Sequence, residues 1–222
     1  MNIKNLVRLR DAMLADTNTT FNMVNVLPER DGDKVGDITD CGTVACIAGL
    51  AVIHFITEMD PKLHPWDAAE KWLGLTKEEG YRLFGGQWAA MDKSMHQITK
   101  DEALAEINRL IHKYWFDRAY NGLAGQEWQQ SKKWSGQCMY LDPNNGRRCA
   151  VGHMIDPELY DPDMDGDSDG GVWGWVSFTH QDLLPGLTLD QFNRIQKMHD
   201  SNVTPDNMQA EFDAYRTEHN LT

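Results

Sequence analysis

Thr99-Lys-Asp-Glu-Ala-Leu-Ala-Glu-Ile-Asn-Arg-Leu-Ile-His-Lys-Tyr114 decides the fold class. Thr99 and Glu102 are spaced as a capping box, in which hydroxyl and carboxylate each accept a backbone N–H that the first helical turn leaves unpaired. Ala103, Ile107, Leu110, Ile111 and Tyr114 follow at helical spacing, so one face of a helix over 100–120 turns inward. The same start signal returns as Thr76 with Glu79 and as Thr188 with Gln191, and Thr204 is followed by Pro205 at the first helical position. Upstream, Ile3, Leu6, Val7, Met13 and Leu14 line one side of a helix over 2–15. Residues 44–56 are apolar on nearly every face, which predicts a helix packed on several sides and capped by Asp40 or Thr43. The expected class is mainly α (α+β).

One segment departs from this pattern. Cys138-Met-Tyr-Leu-Asp-Pro-Asn-Asn-Gly-Arg-Arg-Cys149 is two short runs about an Asn-Gly pair, which tolerates the positive φ of a tight reversal. It predicts a small β-hairpin that brings Cys138 and Cys149 nearly opposite one another. The two halves of the chain also share an order of signals. Cys46-Ile-Ala-Gly49 matches Cys149-Ala-Val-Gly152, Gly74-Leu-Thr76 matches Gly186-Leu-Thr188, and Thr99 matches Thr204. This order predicts an internal duplication: two related helical lobes over 1–121 and 138–222, the second carrying the hairpin, joined by a Gln-, Gly-, Ser- and Lys-rich linker over 122–137.

Composition narrows the class further. With 41% hydrophobic and 25% charged residues over 222 positions, the chain has the makeup of a globular protein rather than a disordered or fibrous one. The net charge of -13 repels phosphates and anionic lipids, which argues against direct nucleic-acid binding. The longest apolar run, 44–56, is interrupted by His54 and falls short of the roughly 20 residues of a membrane span, so no membrane partner is expected. No secretory signal is recognisable, and four cysteines in such a chain suit free thiols in a reducing cytoplasm.

Two stretches carry a resemblance. Asp40-Cys-Gly-Thr-Val-Ala-Cys-Ile-Ala-Gly49, Ala68-Ala-Glu-Lys-Trp-Leu-Gly-Leu-Thr76 and Leu83-Phe84 resemble a group of uncharacterised small bacteriophage proteins. Cys138-Met-Tyr, Cys149-Ala-Val-Gly152, Tyr160-Asp-Pro-Asp-Met164 and Gln196-Lys-Met-His-Asp200 are similar to a second such group. The resemblance covers roughly 40–85 and 138–200. It implies a phage or prophage origin and an accessory role in the host cytoplasm, and it supplies no mechanism.

Several constellations carry potential chemistry. Asp161, Asp163, Asp165, Asp167 and Asp169 repeat an Asp-x-Asp-x-Asp-Gly spacing, whose alternate carboxylates suit an oxygen-loving cation such as calcium. The position for a bidentate Glu holds Val172 or Val176, so any hold on calcium would be weak; otherwise the loop is a solvated acidic surface. No other cofactor motif is found.

The cysteines suit buried structural thiols best. Zinc would need four converging ligands, and the Cys-x4-Cys and Cys-x10-Cys spacings are not the usual knuckles. A nucleophile at Cys41, beside Asp40 and Gly42, resembles the start of papain-like folds. Cys149 with His153 is the other pairing, four apart on a helix. His180 is the remaining candidate base.

Eight tryptophans are unusual at this length. Trp72 and Trp115 fall on inner helix faces, Trp173 and Trp175 are two apart and would point to the same side of a strand, and Trp88, Trp128 and Trp134 are harder to bury. Aromatic platforms bind bases by stacking.

Trp88, Trp173 and Trp175, with Arg147, Arg148 and His153, therefore form the expected ligand-binding set. With the phage resemblance, the expectation is a sequestering protein for a small nucleotide-like ligand or a host defence protein. The alternatives are a cysteine hydrolase using Cys41 or Cys149, and an acidic surface mimic that binds a basic host protein.

Overall fold

The computed structural model describes residues 1–17, 20–21, 44–86, 97–132, 138–165, 183–202 and 204–221. Over these the chain is mainly helical. The helices are α1 (Ile3–Ala15), α2 (Ile47–Phe55), α3 (Pro65–Leu73), α4 (Lys77–Tyr81), α5 (Lys100–Gly125), α6 (Ala150–Met154), α7 (Leu189–Ser201) and α8 (Pro205–Glu218). Strands β1 (Thr20–Phe21) and β2 (Val44–Ala45) pair in parallel. None of the helices is long and apolar enough to cross a membrane.

Two units divide the chain, Met1–Arg109 and Leu110–Thr222. The boundary lies inside α5, upstream of the expected linker. Helix also continues to Gly125, five residues past the predicted end, because Leu123 is fully buried and holds the last turn against the second unit's core. The expected linker therefore begins as helix.

In the first unit α1, α2 and α3 pack on one another. Ile3, Leu6, Leu9 and Met13 form the inner stripe of α1. Leu14, expected on that stripe, is exposed, since it lies one residue off the three-to-four spacing that Met13 completes. Helix α2 is buried on every face over Ile47, Ala48, Gly49, Leu50, Ala51 and Val52. Its cap is Cys46, whose Sγ accepts the Gly49 N–H at 3.5 Å. The predicted caps Asp40 and Thr43 lie outside the described residues. Phe55 stacks on Trp72 with centroids 4.5 Å apart, and the Arg8 guanidinium lies over both rings while pairing with Glu58.

In the second unit the inner face of α5 meets α8 through aromatic rings. Phe116, Tyr120, Trp128, Phe212 and Tyr215 touch edge-to-face or offset, and the Arg216 guanidinium sits 3.8 Å from the Tyr120 centroid. Trp128, expected to be hard to bury, is 7% exposed in this cluster. Trp115, also buried, donates its indole N–H to Pro185 O at 3.1 Å. Helix α7 packs between α6 and α8.

The predicted hairpin is reduced to isolated contacts. Leu141 and Arg148 form a single antiparallel bridge around the 142–147 turn, and Lys132 bridges Cys138. A longer ladder is pre-empted because Asp165 takes the Tyr140 and Leu141 amides at 2.7 and 3.2 Å.

Candidate functional site

Five buried or half-buried polar side chains converge in the second unit. Cys138 and Cys149 come from the segment around the 142–147 turn. Met139 donates its N–H to Ser131 O, and Cys149 donates its own to Met139 O, which lays the two cysteine strands side by side. Cys149 also caps α6, its Sγ accepting the Gly152 N–H at 3.3 Å. Gly152 is required there by close approach: a Cβ would sit 2.0 Å from Tyr140 O.

Helix α7 supplies the other three groups. Its Thr188–Gln191 capping box sets the start of the helix, and Phe192, Ile195, Gln196, Met198 and His199 are its buried residues. The polar Gln196 and His199 therefore occupy an otherwise apolar stripe. Burying them requires partners. Gln196 Oε1 accepts the Val151 N–H at 3.3 Å, and its Nε2 donates to Cys138 Sγ at 3.1 Å and to Asp200 Oδ1 at 2.9 Å. His199 Nδ1 lies 2.9 Å from Asp200 Oδ1 and 4.0 Å from Cys138 Sγ. Among the described residues His199 Nε2 has no hydrogen-bond partner.

The electrostatics follow from these contacts. The Cys149 contact and burial push the Cys138 thiol far up, so it is protonated at neutral pH. Burial opposes the charged imidazolium of His199, but the Asp200 and Cys138 contacts outweigh it and raise its pKa. Burial also opposes the Asp200 charge, and the His199 and Gln196 donors overcome this and lower its pKa. This is not the geometry of a nucleophilic triad, in which thiol and acid occupy opposite imidazole nitrogens. Here both approach Nδ1.

A cavity of about 260 Å³ opens beside this cluster, lined by Trp128, Gln129, Gln130, Arg147, Thr204, Pro205 and Met208. Gln130 connects the two features, since its Nε2 donates to His199 O and Asn202 O at 2.5 Å each. Trp128 is held in the left-handed region at φ 57, with its N–H on Leu123 O at 2.7 Å. Such a conformation is uncommon for a bulky side chain, and here the aromatic cluster holds it.

The described members of the expected ligand-binding set, Arg147, Arg148 and His153, are dispersed. Arg147 lines the cavity. Its guanidinium has no acid or hydrogen-bond partner among the described residues. Arg148 points elsewhere, donating to Gly152 O at 3.1 Å at the end of α6. The His153 ring meets Gln126 Oε1 at 2.9 Å and lies against α5, where a Cβ on Gly122 would be 2.2 Å from it. Burial and the nearby Arg148 lower its pKa to about 4. His153 and the Cys149 thiol thus have separate partners and do not form the expected dyad.

Asp165 turns to the Tyr140 and Leu141 amides and to the Tyr160 hydroxyl, while Asp161 closes a turn on the Asp163 N–H. Asp161, Asp163 and Asp165 do not converge. Among the described residues the metal-ligating cluster is instead Cys138, His199 and Asp200, whose ligand atoms lie within 4.8 Å of one another. Trp88, Trp173, Trp175, Cys41, His180, Asp167 and Asp169 lie outside the described residues.

Sequence reasoning missed Gln196, His199 and Asp200 as a site. The available signal was two polar side chains at stripe positions of an amphipathic helix. Comparison with protein families, with curated proteins and with solved structures finds no match for this chain.

Proposed function

We propose that the chain is a binding protein whose second unit holds a small anionic, nucleotide-like ligand. The observation that carries this reading is Arg147, a cation with no partner among the described residues, beside Trp128 in the cavity at the start of α8. A helix N-terminus favours an anion, and the indole offers an apolar wall. Small-molecule sites span roughly 300–1,000 Å³. A cavity of about 260 Å³ therefore suits a mononucleotide or smaller anion rather than a dinucleotide. Taken with the resemblance to bacteriophage proteins, such binding amounts to sequestration of a host nucleotide. Cysteine hydrolysis through Cys149 is less well supported, because that thiol is buried at its cap; the other candidate, Cys41, lies outside the described residues.

We also infer that the two expected lobes, 1–121 and 138–222, derive from one duplicated ancestor. Cys46 and Cys149 cap their helices in the same way, each Sγ accepting from the Gly N–H three residues on. Gly74 and Gly186 both have positive φ, 60° and 79°, and each leads into a capping box, at Thr76 and Thr188.

Calorimetric titration with inorganic phosphate and with nucleoside mono- and diphosphates tests the binding reading. A mononucleotide binds, and Arg147→Ala weakens it about tenfold to a hundredfold, as loss of a charged hydrogen bond of about 1.5–3 kcal/mol requires. Absence of heat and of any melting shift across the panel would overturn it.

A further inference from the structure

We propose that Cys138, His199 and Asp200 together bind one transition-metal ion of the zinc class, with Gln196 positioning two of the ligands and solvent in the fourth position. The inference is independent of the nucleotide reading, since none of the three lines the cavity.

Geometry is the first support. The Cys138 Sγ, His199 Nδ1 and Asp200 carboxylate lie within 4.8 Å of one another. Zinc takes sulfur at about 2.3 Å and nitrogen or oxygen at about 2.0–2.2 Å, so tetrahedral ligand atoms stand roughly 3.3–3.7 Å apart. The observed separations of 4.0 Å for Cys138 to His199 and 2.9 Å for His199 to Asp200 bracket that range. Closing the cluster onto an ion takes shifts of no more than about 1 Å, and a solvent molecule fills the fourth tetrahedral position.

Donor chemistry is the second support. A thiol, an imidazole and a carboxylate are ligand types zinc takes, and sulfur argues against calcium or magnesium. The Cys138 thiol gives up its proton to solvent on ligation, and the proton shared between His199 Nδ1 and Asp200 leaves with it.

The surroundings are the third. His199 is fully buried, whereas the Asp200 side chain is 31% exposed and leaves a path for the ion. Gln196, fully buried, donates to both Cys138 and Asp200, the outer hydrogen bonding that orients metal ligands. Without a cation, the single Nδ1 position faces two acidic groups and can give a proton to only one.

Cobalt(II) is the probe. The full-length protein is stripped with chelator and kept under a phosphine reductant, its folding is checked by circular dichroism, and cobalt is then titrated in. One equivalent is taken up with a thiolate-to-cobalt charge-transfer band and the visible bands of a four-coordinate ion, and zinc bleaches both. Cys138→Ser abolishes the charge-transfer intensity, while Cys46→Ser retains it. Gln196→Ala lowers affinity about 10- to 100-fold. A folded wild-type protein that takes up no cobalt would overturn the proposal. So would cobalt bound without thiolate character and unaffected by Cys138→Ser.

Discussion

At Gly152 a single hydrogen atom decides whether α6 can meet the turn that carries Tyr140. A methyl group would sit 2.0 Å from Tyr140 O and 2.9 Å from its carbonyl carbon. Both are backbone atoms pinned by Asp165 and by the neighbouring bridge, so neither can swing aside as a side chain would. Gly152→Ala should therefore cost about 1–3 kcal/mol, the usual range for overpacking. Gly125 has nothing within 4 Å of the same atom, and Gly125→Ala should change stability by no more than about 0.5 kcal/mol. Urea denaturation followed by tryptophan fluorescence distinguishes the two, and equal losses would refute the steric argument. The matching Cys-x-x-Gly pairs at 46–49 and 149–152 were legible in the sequence. The reason for the second glycine was not, because the atom it avoids belongs to a segment whose path depends on Asp165.

Helix α7 is where local signal and distant chemistry meet. Its start is local: the Thr188 hydroxyl accepts the Gln191 N–H at 3.2 Å, and the Gln191 side chain accepts the Thr188 N–H at 3.0 Å. Thr188→Ala should cost about 1 kcal/mol, the ordinary loss of a cap. It should also weaken cobalt uptake, because the same helix carries Gln196, His199 and Asp200. Thr76→Ala removes an equivalent box from α4 and should leave cobalt uptake unchanged. A melting scan with and without cobalt checks both variants. Capping boxes are legible because hydroxyl, carboxylate and amide lie within four residues. The partners of Gln196 and His199 lie 58 and 61 positions away at Cys138, and no spacing rule spans that interval. What could be read was only that two polar groups occupied an apolar stripe. Their joining to Cys138 depends on the 142–147 turn, which the Asn-Gly pair did signal, and on the packing of α6 against α7, which nothing local encodes.

Across the whole molecule, acid should act unequally on the two units. His112, in the second unit, lies beneath α8 with its Nε2 3.1 Å from the Tyr215 hydroxyl and its ring 5.5 Å from that of His219. Burial, then the His219 charge, lowers its pKa from 6.5 to about 4. The unfolded chain thus takes up this proton at higher pH than the folded one. The stability it contributes is complete above about pH 6.5 and is lost as pH falls toward 4. In the first unit the Arg8 guanidinium holds Glu58 at about 2. That contribution is present above the ordinary carboxylate range and lost only as pH falls through it toward 2, outside the window in which His112 acts. Near pH 5 the second unit should be weakened by about 1–2 kcal/mol through His112, which is roughly a tenfold rise in exchange at its slowest amides. Hydrogen exchange, corrected for intrinsic rates, should show this at Phe116 and Phe212 and not at Leu50 or Leu73, all four fully buried or nearly so. His112→Gln should flatten the pH dependence of the second unit and leave the first unchanged. Parallel loss of protection in both units of the wild-type protein would mean that they unfold as one cooperative body and that the division inside α5 has no energetic counterpart.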